Sequence, residues 1–510
     1  MQLTKSDYLL FLKHPAWLWL KKHDKDKLPP VDDNTQAMFD AGFLFESYAE
    51  RLFPDGIRVG FDGYNEYLSM PKRTKEVVQS GAKTIFQARF EANDLTCICD
   101  VVQFVDKQTV DLYEIKSSTM PKTLHEYDLA FQWLVLAGEG YKVRKAFVVH
   151  VNRDFVRQGQ VSPEEISTVA EITSKVEARL KEVEGDIKRA MEVTNSEKMP
   201  NPTPAFSKHG STPEWVGIYK NLMDIKEGQG TIYDLYAPNA ELILALEDLG
   251  IENLLDIPEN LGQLSRKQAW QLKAAKGNKI FADEKKIKKF LEGFEYPLYF
   301  LDYETLSSVV PYFDGQRPYQ QVPFQYSLHV VESPGAAPKH YTYLHTENSD
   351  PVPALTESLR ENIGESGSVV VWNESFEMGC NDDMGRMCPE FAEFYQNVNG
   401  RVVDLMKPFF NYWYVDKNFG GSASIKKVLP VLVPELSHKD LEISEGGAAQ
   451  RLWMEAVLDG KREEEKETIL ANLDKYCELD TLAMVRIYDF LVDYIGMEQK
   501  SKPEQISFEL

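Results

Sequence analysis

The segment FLDYETLSS, residues 300–308, places two acidic side chains at the end of an apolar run. The run YPLYFLDY, which starts at Tyr296, has the continuous apolar character of a buried strand. Side chains two residues apart on a strand point to the same face, so Asp302 and Glu304 should lie side by side and repel each other. A divalent cation would compensate the pair, and so would solvent if the strand ends at the surface. The pair by itself leaves both interpretations open.

The composition indicates an ordinary globular chain of two or three domains. The 510 residues are 43% hydrophobic and 27% charged, and no apolar run is long enough to suggest a membrane span. The apolar stretch DYLLFLKHPAWLWLKKHD near the start contains Lys13 and His14 and lacks a small-residue cleavage site, so it is not expected to be a signal peptide. Five scattered cysteines without a CxxC pair favour a reducing compartment, and we expect a cytoplasmic location without membrane association.

The formal net charge of -23 argues against a broad electropositive surface. Phosphate neutralisation normally dominates the affinity of proteins for nucleic acid, so this charge weakens a nucleic-acid function. It does not exclude one, because basic side chains can gather in one groove and a metal-dependent phosphodiesterase needs carboxylates.

The order of hydrophobic patterns predicts an α/β protein with three segments. Residues 1–195 form a mixed domain, 196–295 a linker and helical spacer, and 296–510 a second α/β domain. In the spacer, LGIENLLDIP resembles a helix-hairpin-helix module, although a plain helical spacer is the favoured interpretation. The first segment is predicted to contain helices at 37–53, 124–138 and 163–193, consecutive strands within 84–118 with a turn at 106–107, and a strand at 145–152. The third is predicted to contain strands at 297–303, 322–331, 339–345 and 368–372 and helices at 351–364, 375–386, 422–433, 445–458 and 463–494.

Further acids in the third segment follow the Asp302–Glu304 pair. VVVWNESFEMG places Asn373, Phe376 and Glu377 after a strand and at the start of a helix, where α/β folds hold ligands. Tyr476 and Asp480 are four residues apart in a predicted helix and therefore share a face. The acids Asp302, Glu304, Glu377 and Asp480 could converge on two cations of the kind that assist phosphoryl displacement.

These motifs, in this order, resemble those of the DEDD exonuclease superfamily, the DnaQ-type nucleases with an RNase H-like fold, over residues 296–495. The resemblance implies a 3′–5′ exonuclease-type site in which the acids bind Mg²⁺ or Mn²⁺, Tyr476 orients the attacking water, and Asn373 and Phe376 contact substrate. Lys475 stands where a sister class has histidine. Glu377 replaces the usual aspartate, which puts the metal geometry in question. Asp404, which ends the apolar GRVVD, is expected to be a strand-end cap or a solvated acid.

A second constellation lies in the first segment. CICDVVQFVDKQTVDLYEIKSS supplies Asp100 after one strand and, in a later strand, Glu114 and Lys116 on one face. This spacing resembles the RecB-like branch of the PD-(D/E)XK nucleases. The resemblance implies that Asp100, Glu114 and Glu46 bind a cation, that Lys116 positions the attacking water, and that Gln132 contacts substrate. The tyrosine usual four residues after that glutamine is replaced by leucine here.

Relatives in that branch often ligate an iron-sulphur cluster through a cysteine near the N-terminus and three more after the core. Here the first position is His14 in KHPAW, and the later region contains His209 and no cysteine. Thiolates normally hold such clusters, so no iron-sulphur cluster is expected.

Together the two constellations resemble bacterial proteins that fuse a RecB-like nuclease to an RNase H-like domain. The expected function is metal-dependent hydrolysis of phosphodiester bonds in repair, phage defence or mobile-element processing, with up to two Mg²⁺ or Mn²⁺ ions per site. DNA is favoured over RNA as the substrate, and no protein partner is indicated. The alternative is a nucleic-acid-binding or scaffold protein in which one or both sites are inactive.

Overall fold

The computed structural model of the protein describes residues 2–205, 213–226, 229–437, 442–443 and 446–496. The chain forms two compact units. Unit 1 consists of Met1–Lys226, Ile243–Glu247 and Val309–Pro311, and unit 2 consists of Glu227–Leu242, Asp248–Ser308 and Tyr312–Leu510. The segment predicted as a spacer, residues 196–295, is therefore divided between the two units.

Unit 1 begins with a short strand and two helices, and the helices are separated at His14 and Pro15. The first is closed at its N-terminus by Thr4 and Asp7, which form a reciprocal capping box. The second begins at Pro15, which has no N–H to donate and is favoured in the first turn of a helix. The apolar stretch near the start is therefore two helices. These elements are β1 (Leu3–Thr4), α1 (Lys5–Lys13) and α2 (Pro15–His23).

The rest of unit 1 is a seven-stranded sheet packed with helices. The strand order is β2-β3-β4-β5-β6-β7, and β1 pairs with β4. The β3–β4–β5 ladders are antiparallel, whereas β5 and β6 are parallel and are joined by α5. Side chains from β3–β6, α1, α5 and α7 form the main core. The remaining elements are α3 (Asp33–Ala49), β2 (Ile57–Arg58), α4 (Tyr64–Gln79), β3 (Thr84–Ala92), β4 (Leu95–Phe104), β5 (Thr109–Lys116), α5 (Thr123–Gly138), β6 (Lys142–Val151), α6 (Pro163–Ile166), β7 (Ser167–Glu171), α7 (Thr173–Asn195) and α8 (Pro213–Leu222).

Two predictions for unit 1 are wrong. The helix predicted over 163–193 is interrupted by β7, which pairs antiparallel with β6 from Ser167 to Glu171. Pairing with a sheet overrides a weak helical pattern when the segment contains β-branched residues. Asp100 was expected to follow a strand but lies inside β4, where the residues before and after it both pair with β3.

Short helices and strands lead into the main sheet of unit 2. The segment resembling a helix-hairpin-helix, LGIENLLDIP, contains a single 3₁₀ turn at Leu254–Asp256 between two α-helices. The elements of this region are α9 (Ala240–Asp248), α10 (Arg266–Gly277), β8 (Phe281–Ala282) and α11 (Glu284–Leu291).

Unit 2 is built on a mixed five-stranded sheet with the order β11-β10-β9-β12-β13. The central strand β9 is antiparallel to β10 and parallel to β12, and β12 is parallel to β13. The strands are β9 (Leu298–Leu306), β10 (Val322–Val331), β11 (Lys339–Leu344), β12 (Ser368–Val371), β13 (Val402–Asp404) and the separately paired β14 (Tyr414–Val415). The prediction for β10 is confirmed to the residue.

Helices cover both faces of this sheet, and alternation along β9 divides its side chains between them. Tyr299, Leu301 and Tyr303 belong to one core, whereas Leu298 and Phe300 face the other, which includes the last helix, α18. The helices are α12 (Val352–Asn362), α13 (Glu374–Met387), α14 (Ala392–Asn399), α15 (Lys407–Phe410), α16 (Ile425–Leu432), α17 (Gly446–Trp453) and α18 (Lys466–Tyr494).

The fold is thus α/β, with sheets and helices in both units. The sequence predicted that Asp302 and Glu304 lie at the end of a strand. This is wrong, because β9 continues to Leu306 and both acids lie within it. The acids share the face of Phe300, because they follow it at intervals of two. No helix in the described ranges is both long and apolar enough to cross a membrane.

Candidate functional site

A cavity of about 370 Å³ in unit 2 collects the side chains predicted for the third segment. Its wall is built from β9, the β12–α13 junction, α16, α17 and α18. The predicted residues that line it are Asp302, Glu304, Asn373, Phe376, Glu377, Tyr476 and Asp480. We call this cavity the acid cavity. Residues almost 180 positions apart in the chain meet there because α18 crosses the face of β9 that carries the acids.

The pair on β9 is held in an environment that opposes ionisation. Burial, followed by the charge of Asp480, raises the pKa of Asp302 well above its usual range. Burial, followed by the charge of Asp302, does the same to the pKa of Glu304. Oxygens of the two carboxylates lie within 4.8 Å of each other. The side-by-side arrangement inferred from strand alternation is therefore present, and it is electrostatically unfavourable without a cation.

Glu377 supplies the third acid from the first turn of α13. Its side chain is buried, and its Oε2 atom has no hydrogen-bond partner in the described part of the chain. Burial and the charge of Asp302 raise the pKa of Glu377 well above its usual range. Buried carboxylate oxygens without partners are rare, so this oxygen is a candidate ligand atom for a cation. Asn373 and Phe376 lie nearer the solvent on the same turn.

Helix α18 contributes Tyr476, Cys477 and Asp480. Tyr476 and Asp480 line the acid cavity from successive turns, as their spacing predicts. Burial, then the charges of Asp480 and Glu304, raises the pKa of Tyr476, so its hydroxyl keeps its proton. Cys477 points at Asp302, with 3.9 Å between Sγ and Oδ2. Burial and the charge of Asp302 raise the pKa of this thiol well above its usual range, so the thiol keeps its proton and is a weak donor to Asp302. Its Sγ nevertheless lies within 4.8 Å of oxygens of Asp302 and Glu304.

Lys426, in the first turn of α16, is a cavity residue that the sequence analysis missed. Its charge lowers the pKa values of Asp302 and Glu304 against the stronger effect of burial. Its Nζ lies 5.4 Å from the ring centre of Tyr476. No motif marks this lysine, because nothing in its local sequence reports which face of the sheet α16 covers.

Asp404 lies at the end of β13 and caps the following turn. Its Oδ1 accepts a hydrogen bond of 2.9 Å from the amide of Met406. It is absent from the described lining of the acid cavity. This agrees with the expectation of a strand-end cap.

In unit 1, Glu114 lies at the centre of a network of buried charges. Its Oε1 accepts from Lys116 at 2.5 Å and from Lys5 at 2.9 Å, and its Oε2 accepts from Gln132 at 2.6 Å. Burial, then the charges of Asp100 and Asp128, raises the pKa of Glu114 to about 7. The expected pairing of Glu114 with Lys116 on one strand face is present. Each of its oxygens already has a donor from the protein.

Glu46 and Asp100 meet through Gln87. The Gln87 amide nitrogen lies 2.6 Å from an oxygen of Glu46 and 3.4 Å from one of Asp100. Burial and Glu50 raise the pKa of Glu46, and Asp100 also has its pKa raised by burial. Gln87 has a φ of 49°, a left-handed conformation that is uncommon for a residue with a side chain. The three predicted acids of unit 1 are therefore neighbours, and amide and ammonium groups of the protein already compensate part of their charge.

Gln132 is fully buried and donates to Asp128 at 2.8 Å as well as to Glu114. Its amide nitrogen is therefore used within the protein, whereas its Oε1 has no hydrogen-bond partner among the described residues. The contact of Gln132 with substrate stays a prediction. Asp128 is a further member of this site that the sequence analysis missed. It pairs with Lys116 at 3.0 Å and with Lys5 at 3.6 Å. Asp128 precedes Gln132 by four residues on α5, so helical periodicity could have predicted that it shares the face of Gln132. No sequence pattern indicated that Lys5 and Gln87 belong to this site.

His14 has a packing role in unit 1. Its Nδ1 accepts from the amide of Ala16 at 3.1 Å, its Nε2 donates to the carbonyl of Thr203 at 3.0 Å, and its ring stacks on Trp215. Burial lowers the pKa of His14 to about 4, which keeps the ring neutral. His209, the other histidine considered in place of a cluster ligand, lies outside the described residues.

A larger cavity of about 940 Å³ in unit 2 has a different character from the acid cavity. Its lining combines the aromatic rings of Trp270, Phe281, Tyr412 and Trp413 with basic side chains and two acids. We call it the basic cleft. The charged residues that line it are Arg266, Lys267, Asp283, Glu284, Lys285 and Lys286.

The sequence comparisons match this chain to one family and to relatives whose names state no activity. A family model described as "Domain of unknown function (DUF2779)" matches residues 299–424, which include Asp302, Glu304 and Glu377 but not α18. "Uncharacterized protein MG366 homolog" of Mycoplasma pneumoniae is 29% identical over 249 residues, which are 45% of this chain and 36% of the relative. "Uncharacterized protein MG366" of Mycoplasma genitalium is 25% identical over 256 residues, which are 46% of this chain and 38% of the relative. The alignments thus span little more than a third of the length of these curated relatives.

Proposed function

We propose that this protein hydrolyses phosphodiester bonds of nucleic acid with divalent cations bound in the acid cavity. The observation that carries the proposal is the convergence of Asp302, Glu304, Glu377 and Asp480 from three separate elements on one cavity. The burial of like charges lowers the stability of the fold unless a cation or hydrogen bonds compensate them. Residues whose pKa values are perturbed by burial and by like charges cluster at functional sites.

The donor set fits Mg²⁺ or Mn²⁺. All four acids offer oxygen, which these cations prefer, and the partnerless Oε2 of Glu377 is available as a ligand atom. When bound, such ions supply charge stabilisation to the attacking and leaving oxygens of a phosphoryl displacement. Glu377 is one methylene longer than the aspartate of the family that the motifs resemble, and its burial indicates that the longer arm is accommodated.

The other cavity residues have roles that follow from their chemistry. Tyr476 keeps its hydroxyl proton, so it can donate to or orient a water molecule beside Asp480. The Lys426 ammonium can contact a non-bridging phosphate oxygen, since it already acts on the same carboxylates. Asn373, at the solvent side of α13, can hydrogen-bond a sugar or base, and the Phe376 ring can stack on a base.

We also propose a specific fold for each unit. The central strand of unit 2 carries two acids, the helix that follows its parallel neighbour carries a third, and the last helix carries the fourth. This arrangement supports an RNase H-like fold with a DEDD-type exonuclease site. In unit 1, the acid on β4 and the Glu114–Lys116 pair on β5 support a PD-(D/E)XK fold of the RecB-like branch.

The second candidate site, in unit 1, is proposed as a second nuclease centre that includes Glu46, Asp100, Glu114 and Lys116. Its support is the proximity of the three acids and the position of the lysine. The fit to a metal is poorer here than in the acid cavity, because Lys5, Lys116 and Gln132 already donate to both oxygens of Glu114.

The basic cleft supports nucleic acid as the substrate despite the net charge of -23. Grooves that bind single strands combine basic side chains for the backbone with aromatic rings on which bases stack. The ammonium group of Lys267 lies over the ring of Phe410, with 3.6 Å between Nζ and the ring centre, so this contact holds one of the basic side chains in place. A cytoplasmic location is also proposed, since all five cysteines are unpaired thiols.

The test uses the full chain on labelled linear and circular DNA and on RNA, single- and double-stranded, with Mg²⁺, Mn²⁺ or EDTA. We expect cation-dependent trimming of linear ends that Asp302→Asn reduces by at least about 100-fold. Asp404→Asn is the matched control, because Asp404 is another buried acid of unit 2 that serves as a cap. Wild-type cleavage by Asp302→Asn would refute the site. Tight binding to every substrate without cleavage would favour the alternative of a binding protein or scaffold.

A further inference from the structure

A second group of metal-ligand side chains lies in unit 2. His329 is on β10, His340 is opposite it on β11, and Glu478 is on α18. One candidate ligand atom from each residue lies within 4.8 Å of the other two. The described lining of the acid cavity contains none of the three. The group is therefore a candidate site of its own.

Hydroxyl groups orient both imidazole rings. Nδ1 of His329 lies 2.8 Å from Oγ1 of Thr481, and Nε2 of His340 lies 2.9 Å from Oγ of Ser327. The two hydroxyl oxygens lie 2.7 Å apart. Histidines that bind metals usually use their second ring nitrogen in such a hydrogen bond, which sets the tautomer and the ring orientation.

The direction of each hydrogen bond in this network follows from a count of protons. The Thr481 hydroxyl donates its hydrogen to the carbonyl of Glu478, so it must accept from both Ser327 and His329. The Ser327 hydrogen is then used, so Ser327 must accept from His340. Both rings therefore carry hydrogen on these nitrogens. In the neutral rings, Nε2 of His329 and Nδ1 of His340 keep lone pairs for a ligand.

The distance between His340 and Glu478 suits two ligands of a shared ion better than a hydrogen bond. Nδ1 of His340 lies 3.6 Å from Oε1 of Glu478, which is beyond a normal hydrogen bond. Two ligands on a tetrahedral zinc ion, with bonds of about 2.1 Å, are roughly 3.4 Å apart. The two imidazole rings are stacked with their planes 24° apart, so a shared ion requires the His340 ring, whose side chain is 25% exposed, to turn. The hydrogen bond to Ser327 therefore sets the tautomer of His340, and the ion sets its final ring orientation.

We propose that His329, His340 and Glu478 bind one divalent transition-metal ion of the zinc class. Two imidazoles and one carboxylate suit zinc, whereas Mg²⁺ prefers an all-oxygen set. The Glu478 side chain is 49% exposed, so water can occupy the fourth position. The ion joins β10 and β11 to α18, the helix that also carries Tyr476 and Asp480. The site is independent of the proposed hydrolase activity.

The test is Zn²⁺ binding to the metal-stripped full chain by equilibrium dialysis, in a large excess of Mg²⁺ to fill all-oxygen sites. We expect one Zn²⁺ per chain whose affinity falls at least about tenfold in Glu478→Gln and in His340→Gln. Glu478 is half exposed, so its substitution leaves the fold intact. Glu467→Gln, an exposed acid in the first turn of the same helix, is the matched control and should bind as wild type does.

Two results would overturn the proposal. One is Zn²⁺ binding of wild-type affinity in both Glu478→Gln and His340→Gln. The other is loss of the Zn²⁺ ion in Asp302→Asn with full retention in Glu478→Gln, which would place the ion in the acid cavity. Neither result depends on whether the chain cleaves nucleic acid.

Discussion

Removal of one charge from the acid cavity should stabilise the metal-free protein. Carboxylate oxygens of Asp302 and Glu304 lie within 4.8 Å of each other. At that distance and an effective dielectric constant of about 20, two full charges repel by about 3 kcal/mol. Partial protonation relieves some of this repulsion, since the pKa values of both acids are raised. We therefore expect Asp302→Asn to raise the free energy of unfolding of unit 2 by about 1–3 kcal/mol near pH 8.

The extra stability of the Asp302→Asn variant should increase as the pH rises. A carboxyl whose pKa is raised on folding binds more protons in the folded state than in the unfolded state, so wild-type stability falls as pH rises above the unfolded value of 3.8. Asp302→Asn removes this contribution. Its advantage should therefore be greatest near pH 8 and should vanish below about pH 3, where the Asp302 carboxyl is protonated in both states.

Calorimetric unfolding with and without Mg²⁺ is the assay. The metal-free variant should melt roughly 2–6 °C above the wild type, at about 2 °C per kcal/mol for a unit of this size. Mg²⁺ at a hundred times its dissociation constant should stabilise the wild type by about 2.7 kcal/mol, and most of that shift should disappear in Asp302→Asn. Asp404→Asn keeps an oxygen for the Met406 amide and should retain the Mg²⁺ shift. A variant that is less stable than the wild type at pH 8, with an unchanged Mg²⁺ shift, would refute the reasoning.

Three further predictions address single residues. Tyr476→Phe should slow end trimming by about 10²–10³-fold because it removes one hydroxyl donor, while calorimetry should still detect the Mg²⁺ shift. Lys116→Met should lower cleavage of circular DNA by a similar factor and leave trimming of linear ends unchanged; loss of both activities, measured by product mapping, would contradict two separate centres. The pKa of Glu114 rises from 4.5 to about 7 on folding, so unit 1 should lose about 3 kcal/mol between pH 4.5 and 7, and Glu114→Gln should flatten that dependence in pulse-proteolysis measurements. An equal slope in the variant would remove Glu114 as the cause.

Local sequence patterns were sufficient to predict much of the secondary structure and several site residues. The run from Val322 to Val331 is a strand because apolar side chains alternate along it with Gln325, Ser327 and His329, which is the period of a strand. The i,i+2 spacing of Asp302 and Glu304 and the i,i+4 spacing of Tyr476 and Asp480 predict a common face within each element. Such periodicities follow from backbone geometry, which every short segment carries within itself.

The sequence by itself determined which residues share a face of a strand or helix, and therefore that Asp302 lies beside Glu304 and Tyr476 beside Asp480. Only the tertiary structure decided what surrounds each pair. Lys426 lies at the acid cavity because α16 packs there, and Lys5 reaches Glu114 across 109 positions of chain. The segment after Pro163 became β7 because the edge of β6 offered it hydrogen bonds that its own sequence does not report. Long-range contacts depend on how separate elements pack. The periodicity of one element shows which of its own residues share a face, but not which other element packs against that face.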